Sequence, residues 1–252
     1  MTETKTSIGK ARLDHWRKFQ SWIDDHSDSA WAFRGLGDAA FALTPTVGRI
    51  PNYLLARERA ILAAFRRRIP QFGSAAAGAW DELALAQHHG VPTRLLDWTT
   101  NPLVAARFAV ASPPGEREIE TADGIIAATP ARNLVDCKVV AYRVRPARMI
   151  DPEDIADPFA VTEVAFVLPR AVSSRIASQS GIFTIHPQPS IAWDAPMTDK
   201  HVFTIPGAIR DFFLNRLFYL GVDPLYLMGG LDGLGSRLAW QASRGVGLGA
   251  IT

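Results

Sequence analysis

Hydrophobic positions follow a helical spacing in some stretches of the chain and a strand spacing in others. Over Ala11–Asp25, Leu13, Trp16, Phe19 and Trp22 fall at steps of three, which predicts an amphipathic helix with an aromatic face. WAFRG (Trp31–Gly35) reads as a short buried strand stopped by glycine, and ALTPTVGRIP as a loop with prolines at positions 45 and 51. Leu54–Ile69 combines good helix formers with an apolar side made by Leu54, Leu55, Ile61, Leu62 and Phe65, and Pro70 closes it. A second helix is predicted from about Ala75 to His88 and is broken by HHGVPTRLLD. Asn101 followed by Pro102 predicts an N-cap with proline at the first helical position, opening the apolar helix LVAARFAVA.

Beyond this point the spacing changes. DGIIAATP, CKVVAYRV, TEVAFVLP, SGIFTIHP and KHVFTIP are short β-rich runs separated by Pro, Gly and Asp. Two helical patterns follow, AIRDFFLNRLFYLG and the glycine-weakened PLYLMGGLDGLGSRLAWQA. No long linker separates front from back. The expectation is therefore one α+β domain, with a helix-rich N-terminal half packed on a β-rich C-terminal half. The chain divides into an N-terminal helix and linker (1–29), the main domain (30–245) and a tail (246–252).

Composition narrows the function classes only a little. The chain has 252 residues, is 48% hydrophobic and carries a formal charge of +2, so its balance demands neither nucleic acid nor an anionic membrane. Cys137 is the only cysteine, which rules out an internal disulfide and a Cys-rich zinc site. No apolar run approaches the roughly 20 residues of a membrane helix, and the start is polar. The expected location is cytoplasmic, without membrane contact.

Three stretches carry candidate chemistry. An arginine inside an apolar strand, Arg34, is costly to bury unpaired. It needs a carboxylate such as Asp97, a set of carbonyls, solvent or an anionic ligand, and its planar fork of donors suits phosphate or carboxylate. Gly35 would allow a backbone or a ligand to approach closely. The second stretch, Leu83–Ala109, crowds Gln87, His88, His89, Thr93, Arg94, Asp97, Thr99 and Thr100 into one apolar frame. It reads either as a phosphate seat at a helix N-terminus or as a turn tied down by its own polar groups. The adjacent histidines diverge by about 100° on a helix, and no His-Glu-x-x-His spacing follows, so metal is a poor reading. A Gly-x-Ser-x-Gly elbow is missing, which argues against a hydrolase triad. In the third stretch, Ser173–Pro187, Arg175 and Gln179 stand four apart, and upstream Glu163 is a carboxylate at the start of a strand.

Together these segments resemble the FRG domain family. Phe33-Arg34-Gly35 matches its signature, AQHHGVPTRLLDWTTNPLVAARFA its Gln-His-x-Gly-x-Pro-Thr-Arg-Leu-Leu-Asp-Trp-Thr block, and RIASQSGIFTIHP its Arg-x-x-x-Gln-x-Gly-x-Phe block. LYLMGGLDGLGSRL resembles the terminal helix, with an altered start. The block order is in turn similar to that of ADP-ribosyltransferases of the Arg/Ser-Thr/Glu type. That resemblance implies NAD as cofactor, a nucleic-acid or protein acceptor, and a toxin or phage-defence setting. Arg34 and Arg94 would grip phosphate, Thr99 would orient the ribose or nicotinamide, and Gly35, His88, His89, Thr93, Asp97, Thr100 and Arg175 would complete the pocket. One of His88, His89, Glu163 or Gln179 would manage the proton or the 2′-hydroxyl. Where those enzymes place a Glu, this chain offers Gln179, so the alternative is a nucleotide- or nucleic-acid-binding module without transfer activity.

Overall fold

The computed structural model describes residues 2–72, 76, 78–121, 124–168 and 181–245. In chain order the main elements are α1 (Thr2–Asp24), β1 (Trp31–Leu36), α2 (Leu55–Arg68), α3 (Ala79–His88), β2 (Leu95–Thr99) and α4 (Pro102–Ala111). There follow β3 (Arg117–Thr121), β4 (Gly124–Ala128), β5 (Cys137–Arg143), β6 (Met149–Ile150), β7 (Ala165–Val167), β8 (Gly181–Ile185) and β9 (Val202–Ile205). The chain closes with α5 (Arg210–Tyr219), α6 (Pro224–Met228) and α7 (Gly230–Arg244).

Seven strands form one sheet in the order β6-β7-β8-β2-β1-β5-β9, and β3 and β4 form a separate hairpin. Within the sheet only β6 and β7 run parallel. The α+β class holds, and the two halves of the chain are interleaved in it. The front half supplies β1 and β2, which lie inside the sheet between strands of the back half. Strand alternation then sorts the core. On one face Phe33, Val139, Ala141 and Ile205 meet Trp16, Phe19 and Trp22 of α1, Val104 and Ala105 of α4, and Phe213 of α5. On the same face, further along, Leu95, Val167, Phe183 and Ile185 meet Leu62 of α2 and Trp80 and Leu83 of α3. The opposite face, with Ala32, Leu96, Trp98, Val140, Tyr142 and Phe166, is covered by loop residues including Leu43, Trp193 and Ala195.

The aromatic side of α1 is therefore interior. Trp16, Phe19 and Trp22 are 6%, 0% and 8% exposed, and the Trp22 indole donates to the Lys200 carbonyl at 2.8 Å. The aromatic face is thus a core-packing surface and not an exposed patch. The glycine-weakened C-terminal pattern becomes two helices because Gly229 and Gly230 take φ values of +65° and +57°, where a side chain would be strained.

Gly35 is needed for a different reason: α4 crosses β1 so closely that a Cβ there would overlap the Ala105 carbonyl oxygen. Gly35→Ala is expected to destabilise the fold by about 1–3 kcal/mol, as overpacking does. A urea midpoint equal to that of the wild type would contradict this packing.

Candidate cleft where two central strands diverge

β1 and β2 are neighbours in the sheet, yet their described pairing consists of Phe33 opposite Thr99. Past this point β1 stays paired with β5 through Leu36, while β2 stays paired with β8 back to Leu95. The sheet thus opens between Arg34-Gly35 and Asp97-Trp98. A cavity of about 290 Å³ occupies the opening, between α3 and α4. Its walls come from Arg34 and Gly35 on β1, Asp97, Trp98 and Thr99 on β2, Gln87 and His88 on α3, and Phe108 on α4.

Arg34 fills the base of the divergence. Its side chain is 14% exposed, and Nη1 donates to the Asp97 main-chain carbonyl. The Asp97 carboxylate is 3.8 Å from Nη1, within ion-pair range but beyond hydrogen-bond distance. The Arg34 Nε is buried and has no hydrogen-bond partner among the described residues. Burial lowers the guanidinium pKa, Asp97 raises it, and Arg49 lowers it again. Asp97 accepts from Gln87 Nε2 at 2.9 Å, and Gln87 Oε1 in turn accepts from the Thr93 hydroxyl at 2.6 Å. A short polar chain thus sets the carboxylate beside the arginine while leaving it 60% exposed.

Of the residues singled out in the sequence, Arg34, Gly35, His88, Asp97 and Thr99 meet at this cavity. Thr93 lies just behind it, fully buried, and its Oγ1 also accepts from the Leu95 amide at 3.1 Å. Arg94 points elsewhere. It is 2% exposed, and its Nε and Nη2 donate to Glu58 at 3.1 and 2.8 Å, with a further bond from Nη2 to the Tyr53 hydroxyl. Its guanidinium also lies 4.1 Å from the Phe159 ring centroid. This arginine is already committed, so its expected phosphate role finds no support in its position. His89, Thr100 and Glu163 are exposed, and none of them lines the cavity. Gln179 and Arg175 lie outside the described residues.

The start of α4 is not an open anion seat either. The Asn101 side chain accepts from the Leu103 and Val104 amides, and Thr99 Oγ1 accepts from the Asn101 amide at 3.0 Å. These bonds occupy the donors that a helix N-terminus would otherwise offer.

Two contributors escaped sequence reasoning. Arg49, in the helical turn Val47–Arg49, interacts electrostatically with both Asp97 and Arg34. His186, 1% exposed, closes a buried chain in which the Trp98 indole donates to Thr184 Oγ1 at 3.0 Å and Thr184 Oγ1 contacts His186 Nε2 at 2.9 Å. Burial first, and then the Arg34 charge, push the imidazole pKa down to about 3. A signal for Arg49 existed in its loop position, but nothing local tied it to a residue 48 positions away.

The depressed His186 pKa carries a sign for stability. Between the ordinary value of 6.5 and about 3, the unfolded chain binds a proton that the folded one does not. Its contribution to stability is thus present above pH 6.5 and is lost as pH falls towards 3, at about 1.4 kcal/mol per unit. Urea unfolding at pH 7 and pH 5 checks this. Wild type is expected to lose about 2 kcal/mol more than His186→Gln over that interval; equal losses would contradict it.

The fold and cleft define a mixed α+β protein with an arginine-based cleft at a strand divergence. Residues 29–118, which hold β1, α2, α3, β2 and α4, match the family model described as FRG domain. No curated protein and no solved structure matches the chain. Among the described residues, no group of three or more His, Cys, Asp or Glu side chains is placed to hold a metal ion, and no helix is long and apolar enough to cross a membrane.

Proposed function

We propose that the cleft binds the phosphate-bearing part of a nucleotide, with NAD as the leading ligand, through the Arg34 guanidinium. The observation carrying this reading is Arg34 itself: its side chain lines the cavity, while its Nε is buried and has no hydrogen-bond partner among the described residues. A desolvated guanidinium that lacks one of its bonds is stabilised by an anion arriving in the cleft. The volume of about 290 Å³ sits at the low end of ligand pockets, which run from about 300 to 1,000 Å³. It suits a phosphate with an adjoining ring, with the rest of a dinucleotide lying outside. Phe108 and Trp98 give that ring apolar walls.

ADP-ribosyl transfer is the reaction such a site would serve. The bond between nicotinamide and ribose breaks, nicotinamide leaves with the electron pair, and an acceptor nucleophile bonds the ribose carbon and loses its proton. The step needs a carboxylate near the ribose. Asp97 is the carboxylate that lines the described cavity, so it takes that part in this reading rather than Glu163. The second reading, a nucleotide-binding module without turnover, is favoured by the same residue, because Gln87 and Arg34 already engage Asp97.

Nicotinamide release separates the two. The protein is incubated with NAD labelled in the ADP-ribose part, alone and with RNA, DNA or protein acceptors. Transfer predicts released nicotinamide and a labelled acceptor, both lost in Asp97→Asn. Binding without release establishes the module. The absence of both binding and release would overturn the proposal.

A further inference from the structure

A second concave site lies outside the segment matched by the family model. It is a groove of about 720 Å³ between α1 and α5. Arg12, Trp16 and Gln20 line it at i, i+4 and i+8 of α1, and Phe212, Asn215 and Arg216 face them from α5. Its volume falls within the range of small-molecule sites.

Three features define what would fit. The guanidiniums of Arg12 and Arg216 both lie over the Phe212 ring, 5.2 and 5.3 Å from its centroid. Among the described residues neither has a carboxylate within 4 Å. The acid at the rim, Asp211, is already taken by Arg132 at 2.6 Å and Arg244 at 2.9 Å. The groove is therefore short of negative charge. Secondly, Asn215 Oδ1 is buried behind the groove surface and has no hydrogen-bond partner among the described residues, so a turn of this side chain towards the groove would give it the donor it lacks. Thirdly, apart from Gln20 the rest of the lining is apolar. Trp16 and Ile209 form its inner part, and Tyr219 and Leu220 stand 71% and 55% exposed at its outer end.

We propose that this groove binds an amphipathic carboxylate carrying an amide N–H beside an apolar body. The carboxylate meets Arg12 and Arg216, the Asn215 side chain turns so that Oδ1 accepts from the N–H, and the apolar body covers Trp16, Tyr219 and Leu220. A monoanion suits the site better than a phosphate dianion, because less charge must be desolvated beside an apolar floor. The exposed Tyr219 and Leu220 then become a ligand wall.

Calorimetry with N-decanoylglycine on the full chain tests this, with three relatives as controls. The methyl ester removes the charge, N-decanoylsarcosine removes the N–H, and decanoate removes the amide altogether. Saturable one-to-one binding is expected for N-decanoylglycine, weakened at least tenfold in each control. Arg12→Gln/Arg216→Gln should weaken it at least tenfold, and Asn215→Leu should erase the difference between N-decanoylglycine and N-decanoylsarcosine. Absence of saturable binding, or equal affinity for the acid and its methyl ester, would overturn the proposal. The ligand series is measured on the wild type, so a variant that does not fold leaves the test intact.

Discussion

Arg210→Ala is expected to unfold the protein at room temperature or to remove most of its stability. Arg210 is fully buried and makes no ion pair within 4 Å among the described residues. Its guanidinium instead donates to six main-chain carbonyls. Nη2 reaches Ala109 and Ser112 at 2.7 and 2.6 Å, and Nε reaches Val110 at 3.2 Å. Nη1 is shared among Gly37, Arg132 and Val135 at 3.0–3.2 Å. One side chain thereby joins the end of α4, the exit of β1 and the approach to β5. Removing it strands several buried carbonyls, each costing about 1–3 kcal/mol where water cannot replace the donor. A loss of at least about 4 kcal/mol is the expected result in urea unfolding. Arg210→Lys, which keeps the charge but loses the fork, should recover only a small part. A midpoint for Arg210→Ala near the wild-type value would mean that the junction is held by apolar packing instead.

Breaking the Arg94–Glu58 pair is expected to have the next largest effect. The two side chains are 3% and 0% exposed, with two nitrogen–oxygen contacts and Tyr53 bonded to both partners. Tyr53 has its own pKa raised to about 12, by burial first and then by its bond to Glu58. Arg94→Met should cost about 3–5 kcal/mol, because Glu58 would remain as a buried charge without its partner. The double variant Arg94→Met/Glu58→Met should be closer to wild type than either single one, since no uncompensated charge is left. Urea midpoints of the three variants decide it. Simple additivity of the single effects would show that the two residues act independently.

Much of the architecture was legible in the local pattern. The aromatic steps of α1, the strand WAFRG and the strands around Val139, Phe166, Phe183 and Phe203 all follow from spacing and punctuation. β2 was missed because Gly90 and Pro92 mark a break and Asp97 and Thr99 put polar groups into the run. In the sheet these residues alternate with Leu96 and Trp98, and the polar side faces the cleft. Arg34 announced itself as a charge in an apolar strand. Arg94 sent a similar signal, and the two differ in partners distant in sequence: Arg94 pairs directly with Glu58 in the core, whereas Arg34 has a main-chain carbonyl and a carboxylate at 3.8 Å. Arg210, in AIRDFF, looked like ordinary helix-face polarity. Its role rests on carbonyls about 75 to 173 positions away, which no local pattern encodes.

The proposed role of Arg34 is to hold an anionic ligand in the cleft between β1 and β2. It is tested most directly by titrating NAD and ADP-ribose into wild type, Arg34→Ala and Arg34→Lys, with urea midpoints measured alongside. Saturable binding to the wild type is expected, with at least a hundredfold loss in Arg34→Ala from removal of a charge-assisted contact of about 3 kcal/mol, and a partial loss in Arg34→Lys. Binding to a folded Arg34→Ala with wild-type affinity, or no binding of either ligand to the wild type, would contradict it.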